Sequence, residues 1–391
     1  MLGHRETVAE IDLKAIQHNL SAIKKCYPDV SFICPMIKAN AYGHGDIQVG
    51  RALQEMGLKN FGVALVEEGS RLRDLGFYDT HILTFSTITE SAAKSIIYNR
   101  LTPVVSTLQD LSYLIYAARG NKSFPIHIKV DTGMHRMGLP YEQVERAFDL
   151  IKAQTSLELE GLCTHLSDAE DIGDENGESL KQLEKFDAIV QQCSAFETQH
   201  FHAFNSSGLV GMCVHGNKKP WEKFKHYGIR PGIAMYGGAP SSTNDETKKF
   251  LTQLELKPVM RIRSKIANIH KISKGEAVSY GSRWRAERPS VIATLPIGYA
   301  DGVPRASSGK GHVFHEELMA PQVGTICMDY LMADITDWPD SKKVIGLDVD
   351  IMGGSQSLSH VDNLAKTANT ISYEILAGIS GRVPRQYLPT S

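Results

Sequence analysis

Ile33-Cys34-Pro35-Met36-Ile37-Lys38-Ala39-Asn40-Ala41-Tyr42-Gly43-His44-Gly45 opens as an apolar, partly β-branched run that starts at Val30, and it breaks at Asn40 into small and turn-forming residues. The first half predicts a buried strand, and the break puts Lys38 at its last position. An ammonium there is partly desolvated, which lowers its pKa and frees a nucleophilic amine near neutral pH. Such an amine suits a Schiff base with a carbonyl compound. The glycines behind it leave room for a bulky ligand, and Tyr42 offers a phenol to a phosphate or carboxylate. The same residues also fit a plainer account, a strand-end lysine reaching solvent before an ordinary glycine turn.

Working outward, residues 30–232 alternate short apolar runs with longer amphipathic stretches. Strands are expected at Val30–Ile37, Asn60–Leu65, His81–Phe85, Leu101–Val105, Phe124–Asp131, Leu157–His165, His200–Phe204 and Tyr227–Arg230. Helical segments lie between them at Glu67–Asp74, Ser91–Tyr98, Leu108–Ala118, Tyr141–Ile151 and Leu180–Cys193. Eight units without a GxGxxG turn after the first strand predict a (β/α)8 barrel of the TIM type rather than an open doubly wound sheet. Val8–Asp12 precedes a helical run to Ile23, so its strand pairs elsewhere. Ala239–Glu246 is polar and turn-rich and reads as a linker. After it come β-rich runs, Leu254–Ile272, Ser290–Pro296, Pro321–Ile326, Leu331–Ile335 and Val344–Met352, closed by a helical stretch from Ser359 to about Gly378. The expected organisation is a barrel over residues 1–240 and a mostly β domain over 241–391.

The chain has 391 residues, 42 Lys+Arg against 44 Asp+Glu, and a formal net charge of -2. That balance offers nothing to nucleic acid or an anionic membrane, and no stretch approaches the ~20 apolar residues of a membrane span. Six scattered cysteines, with no CxxC pair and no metal-ligand spacing, read as free thiols of a reducing cytosol, with no metal expected. Met1–Asp12 carries charges where a signal peptide needs an apolar core.

In a barrel of this type, ligand residues stand at the carboxyl ends of the strands. Lys38 ends the first, Lys129 lies in the fifth, and Arg136 follows in Asp131–Gly138. His165 ends the sixth, Asn205-Ser206-Ser207-Gly208 follows the seventh, and Arg230-Pro231-Gly232-Ile233 the eighth. The reactive and phosphate-friendly residues therefore gather at one rim. A helix amino terminus with a hydroxyl binds phosphate, although Asn205 and Ser206 equally suit an ordinary helix cap. Two more stretches place polar groups where a β run meets a turn: Ala277–Gly281, with Tyr280, and Gly324–Tyr330, with Met328 and Asp329.

Together these pieces resemble the alanine racemases, pyridoxal-phosphate enzymes with a barrel and a β domain, over nearly the whole chain. The resemblance implies that Lys38 carries pyridoxal 5'-phosphate covalently. Tyr42, Ser206, Gly232, Ile233 and Tyr373 would contact its phosphate beside Asn205; Arg230 would face the pyridine nitrogen with His165 behind it. Arg136 would meet the ring hydroxyl and the substrate carboxylate, oriented by a carbamylated Lys129. Tyr280 matches a second catalytic base delivered from a partner subunit, which implies a homodimer. The Met328 N–H, beside Asp329, matches a substrate-carboxylate contact. Two bases on opposite faces of a planar carbanion are what racemisation needs. An arginine at the pyridine nitrogen cannot give up a full proton, so it restrains the ring as an electron sink. A tyrosine of ordinary pKa ~10 needs a cationic neighbour, for which Arg136 or His165 is the expected source.

The expected activity is interconversion of L- and D-alanine in the cytoplasm, which the resemblance ties to peptidoglycan supply. The alternative is a broad-range racemase acting on serine or basic amino acids. It arises because Thr325 stands where many members carry an arginine at the substrate entrance, and Glu170 where an aspartate is usual; Arg305 keeps another entrance position. A barrel decarboxylase would need a Cys-Glu-Ser element, whereas Cys327-Met328-Asp329 stands here. A non-catalytic cofactor carrier would resemble the barrel alone.

Overall fold

A computed structural model describes residues 5–28, 30–193 and 196–389. The first four residues of the amino-terminal reading and the last two of the carboxy-terminal one lie outside them. The barrel sheet runs through β2 (Asn60–Val63), β3 (His81–Thr84), β4 (Thr102–Val105), β5 (Phe124–Lys129), β6 (Leu157–Cys163), β7 (His200–Phe204) and β8 (Gly228–Ile229). These seven pair in sequence order, all parallel. They fall where the apolar runs predict them, shorter by up to two residues. Between them lie helices Val66–Asp74, Glu90–Tyr98, Leu108–Ala117, Tyr141–Lys152 and Glu178–Gln192.

The expected first strand is corrected. Val30–Ile37 forms no continuous ladder; it touches the sheet through isolated bridges, Ile33 to Ile229 and Met36 to Gly62. Pro35 has no N–H to donate, which interrupts any ladder through it. The segment still closes the ring: Cys34 N–H reaches the Ile229 carbonyl and Met36 N–H that of Pro231, while Ile37 N–H reaches the Gly62 carbonyl, all at 2.9 Å.

β1 (Val8–Ile11) belongs to the other sheet, as its separation from the barrel pattern implies. There it lies between β9 (Met260–Lys265), antiparallel, and β18 (Arg385–Tyr387), parallel. Between those come β10 (Asn268–Ile272), β11 (Ala277–Val278), β12 (Trp284–Arg285), β13 (Ser290–Leu295), β14 (His312–His315), β15 (Leu318–Val323), β16 (Leu331–Asp334) and β17 (Asp348–Met352). The nine-stranded order is β10-β13-β16-β15-β14-β17-β9-β1-β18, with β11 and β12 as a separate hairpin. The barrel-side chain thus starts inside the β-rich sheet. The expected linker is also shorter than its composition suggests. Asn244 accepts from Thr247 N–H at 3.1 Å and starts a helix at Asp245, inside the polar stretch. One continuous apolar core reaches from the barrel helices into the β sheet. Inside the barrel, a smaller cluster of Phe32, Cys34, Leu83, Val104 and Cys163 sits beside buried His127, His202 and Arg230. Among the described residues no helix is long and apolar enough to cross a membrane.

Candidate active site

Lys38 opens a turn rather than ending a strand. Ala39, Asn40, Ala41 and Tyr42 all have φ between 51° and 54°, a left-handed helical turn built without glycine. Each such residue costs roughly 1–2 kcal/mol, so the surroundings must hold it. They do so from three directions. Glu68 accepts Ala39 N–H at 2.6 Å through one oxygen, and Ala64 and Leu65 N–H at 2.7 and 3.0 Å through the other. The buried His44 ring lies 2.9 Å from the Ala41 and Tyr42 carbonyls through Nδ1. From β18, Arg385 donates to the Gly43 carbonyl at 2.9 Å and the Tyr387 hydroxyl to the His44 carbonyl at 3.2 Å. Gly43 and Gly45 therefore serve a different end from the one expected. A Cβ on Gly43 would collide with the Leu376 carbonyl and one on Gly45 with the Tyr387 hydroxyl, so these glycines admit neighbouring chain, not ligand.

The turn faces a cavity of about 600 Å³. Lys38, Tyr42, Lys129, Arg136, His165, Asn205, Ser206, Arg230, Gly232 and Tyr373 line it. Ile233 is fully buried directly after Gly232. Burial, then the Arg136 charge, lowers the Lys38 pKa, while Glu68 opposes the shift. Lys129 is lowered too, chiefly by burial. His165 is held well below the usual imidazole value by burial and by Arg230, so it is neutral at physiological pH. A neutral imidazole there brings no positive charge to the cavity.

At one end of the cavity, Asn205 caps helix Ser206–His215 by accepting Gly208 N–H at 2.9 Å. The Ser206 hydroxyl accepts N–H bonds from Gly232 at 3.0 Å and Ala234 at 3.3 Å. Tyr42 lies so close to Gly232 that a Cβ there would sit 2.6 Å from its hydroxyl. This corner has a helix amino terminus, a serine hydroxyl and two phenols, since Tyr373 packs 6.0 Å from Tyr42. Burial pushes the Tyr373 phenol up to about 12, so it stays protonated and able to donate.

Across the cavity, the buried Arg230 guanidinium touches no carboxylate among the described residues. It donates to the Thr164, His202 and Ala203 carbonyls at 2.7, 2.9 and 3.2 Å, to His202 Nδ1 at 2.6 Å, and lies 3.4 Å from His165 Nδ1. Arginine only donates, so His202 Nδ1 accepts and its Nε2 carries the proton. That Nε2 lies 2.9 Å from His127 Nδ1, and His127 Nε2 lies 3.4 Å from Glu160. Burial holds both imidazoles toward the neutral form, and they stand between Arg230 and the Glu160 carboxylate. His127, His202, Glu160 and Glu68 are missing from the sequence reading. The readable signal was histidine at alternate positions in strands that ought to be apolar inside a barrel.

Tyr280, Met328 and Asp329 are elsewhere. They line a second cavity of about 670 Å³ on the β-rich region. Tyr280 is 70% exposed and Met328 52%, and Asp329 pairs with Arg382 at 2.6 Å. Within one chain they do not meet Lys38. Thr325 is buried and its hydroxyl donates to the Tyr280 carbonyl at 3.0 Å, so in this chain it supports the Tyr280 backbone.

Glu68→Gln is expected to loosen the lysine turn. An amide NH2 would replace one acceptor oxygen, destabilising the protein by about 1–3 kcal/mol. Removing the carboxylate also removes the influence that raises the Lys38 pKa, so the acid limb of cofactor capture, followed by borohydride trapping against pH, should move to lower pH. A limb that stays in place or moves up contradicts this role.

The description "Alanine racemase, N-terminal domain" matches residues 11–240, and "Alanine racemase, C-terminal domain" matches residues 259–387. The chain belongs to the alanine racemase family. An alanine racemase from Geobacter sulfurreducens is 35% identical over 397 residues, spanning 100% of this chain and 99% of that one. Among solved structures, alanine racemase from D-cycloserine-producing Streptomyces lavendulae superposes with a TM-score of 0.88 at 29% identity, covering 100% of this chain and 98% of that one. Alanine racemase from Bartonella henselae, with covalently bound pyridoxal phosphate, gives 0.83 at 28% identity, covering 98% of this chain and 99% of that one. The fold class expected from the apolar runs is thus that of the alanine racemase family.

Proposed function

We propose that this protein interconverts L- and D-alanine with pyridoxal 5'-phosphate held at Lys38, working as a cytoplasmic homodimer with shared active sites and supplying D-alanine for peptidoglycan. The observation that carries the reading is one cavity combining a lysine of lowered pKa, a phosphate-suited helix terminus and a buried arginine without a carboxylate. These groups fit the cofactor: Lys38 for its carbonyl, Ser206, Gly232, Ile233, Tyr42 and Tyr373 for its phosphate, Arg230 for its ring nitrogen. When bound, the cofactor delocalises the electron pair left by loss of the substrate's α-proton.

The chain's own residues do the rest. Lys38, its amine freed by burial, takes or returns a proton on one face; Tyr280 of a second copy serves the other. Arg136 grips the substrate carboxylate, with the Met328 N–H as a further donor in the same second-copy arrangement. Asp329 holds its segment through Arg382. Lys129 is buried and its pKa is lowered, which favours the neutral amine that carbon dioxide would need to form a carbamate. A carbamate would replace its repulsion of Arg136 by attraction. Arg230 keeps its proton because nothing beside it is basic enough to take it. His165 stays neutral and accepts.

The cofactor-loaded protein should racemise alanine far faster than serine, lysine or arginine when product enantiomers are resolved by chiral chromatography. Comparable turnover across that panel, or carbon dioxide release instead, would overturn the reading.

A further inference from the structure

Cys26 and Cys213 stand 187 positions apart in sequence, yet their Sγ atoms approach to 2.7 Å. Cys26 ends helix Leu13–Cys26, and Cys213 lies in the last turns of helix Ser206–His215. Both thiols are partly exposed. A disulfide sulfur separation is about 2.05 Å, so bonding needs less than 1 Å of further approach. Cys34, Cys163 and Cys193 are buried, and Cys327 sits against the Ser279 hydroxyl and the Thr325 carbonyl.

The pair's position gives it a consequence. The first helix leads into Val30–Ile37, and the second leads from β7 toward β8. Val30–Ile37 and the 228–231 segment that contains β8 are joined by the isolated bridge of Ile33 to Ile229 and by three backbone hydrogen bonds, and β8 itself is two residues long. The two thiols therefore sit on the helices that flank one of the two seams at which Val30–Ile37 closes the ring.

We propose that Cys26 and Cys213 form a thiol-disulfide exchange site at which a low-molecular-weight disulfide of the glutathione class installs an intramolecular bond across the barrel's closing seam. The Cys26 thiolate attacks one sulfur of the small disulfide and expels a thiolate. Cys213, losing its proton to solvent, then attacks Cys26 Sγ and expels the mixed-disulfide partner as the second thiolate. Two protein thiols are oxidised, one small disulfide is reduced to two thiols, and the protons balance. Cys26 attacks first because the hydrogen bond from Cys213 favours its thiolate, while burial and that same bond disfavour ionisation of Cys213. Because the sulfurs already stand 2.7 Å apart, the bond is expected to leave the Lys38 cavity in place. It restricts the unfolded chain through a very long loop, which raises resistance to unfolding.

The test uses the cofactor-loaded protein incubated with oxidised glutathione, alkylated, and analysed by intact mass and peptide mapping. We expect loss of two hydrogens, a cross-linked Cys26–Cys213 peptide, unchanged racemisation, and a melting midpoint raised by about 5 °C that dithiothreitol reverses. Cys26→Ser and Cys213→Ala should each keep basal activity and abolish the change in midpoint. Six alkylated cysteines after treatment, a glutathione adduct that persists on either residue, or a cross-link that leaves the midpoint unmoved would each overturn the proposal.

Discussion

Lys38→Ala should lower racemisation by about 10⁴-fold or more and remove the adduct that borohydride traps. The variant should still fold, because the substitution deletes a cation that burial already disfavours and leaves the turn's bracing bonds untouched. The measurement separates two candidates. Lys129 lines the same cavity with its pKa also lowered by burial, so a trapped adduct surviving in Lys38→Ala would transfer the covalent role to it. Peptide mapping of the reduced protein identifies the lysine directly.

Tyr280→Phe carries the second large effect, a loss of about 10²–10⁴-fold in racemisation. Exchange of the substrate's α-proton with solvent should persist for one enantiomer only, since Lys38 still serves its own face. The phenol is mostly solvent-exposed within one chain, so the substitution should leave stability within about 0.5 kcal/mol. Mixing makes the prediction sharper. If Tyr280 completes the cavity of a second copy, combining the inactive Lys38→Ala and Tyr280→Phe proteins and allowing subunits to exchange should restore about a quarter of wild-type activity, because half the dimers are hybrids with one intact site each. No recovery on mixing would place both residues in one chain's site and defeat the shared arrangement.

Much of this architecture was legible because barrel strands are short apolar runs with turn chemistry at their ends. His200–Phe204 occupies the span read from sequence, and the rim residues Lys38, Lys129, Arg136, His165, Ser206 and Arg230 do share one cavity. Where reading stopped, the cause was physical. An apolar run from Val30 to Ile37 looks like a strand whether or not Pro35 breaks its hydrogen bonding. The left-handed turn after Lys38 is imposed by Glu68, Arg385 and Tyr387, partners that no local propensity can reveal. His127, Glu160 and His202 come from three neighbouring strands, and only the barrel's register lines them up behind Arg230.

The brace from β18 has a further consequence for how the protein comes into being. The Gly43 carbonyl and the Arg385 side chain that holds it are separated by 342 positions. On a ribosome adding about 5–20 residues per second, the lysine's turn is made long before its brace exists. The barrel helices and most ladders are available in that interval, but the strained backbone around Lys38 is not yet secured. A nascent chain should therefore acquire its shape well ahead of its competence to capture cofactor, and a fragment that stops short of Arg385 would be a barrel without a properly presented amine.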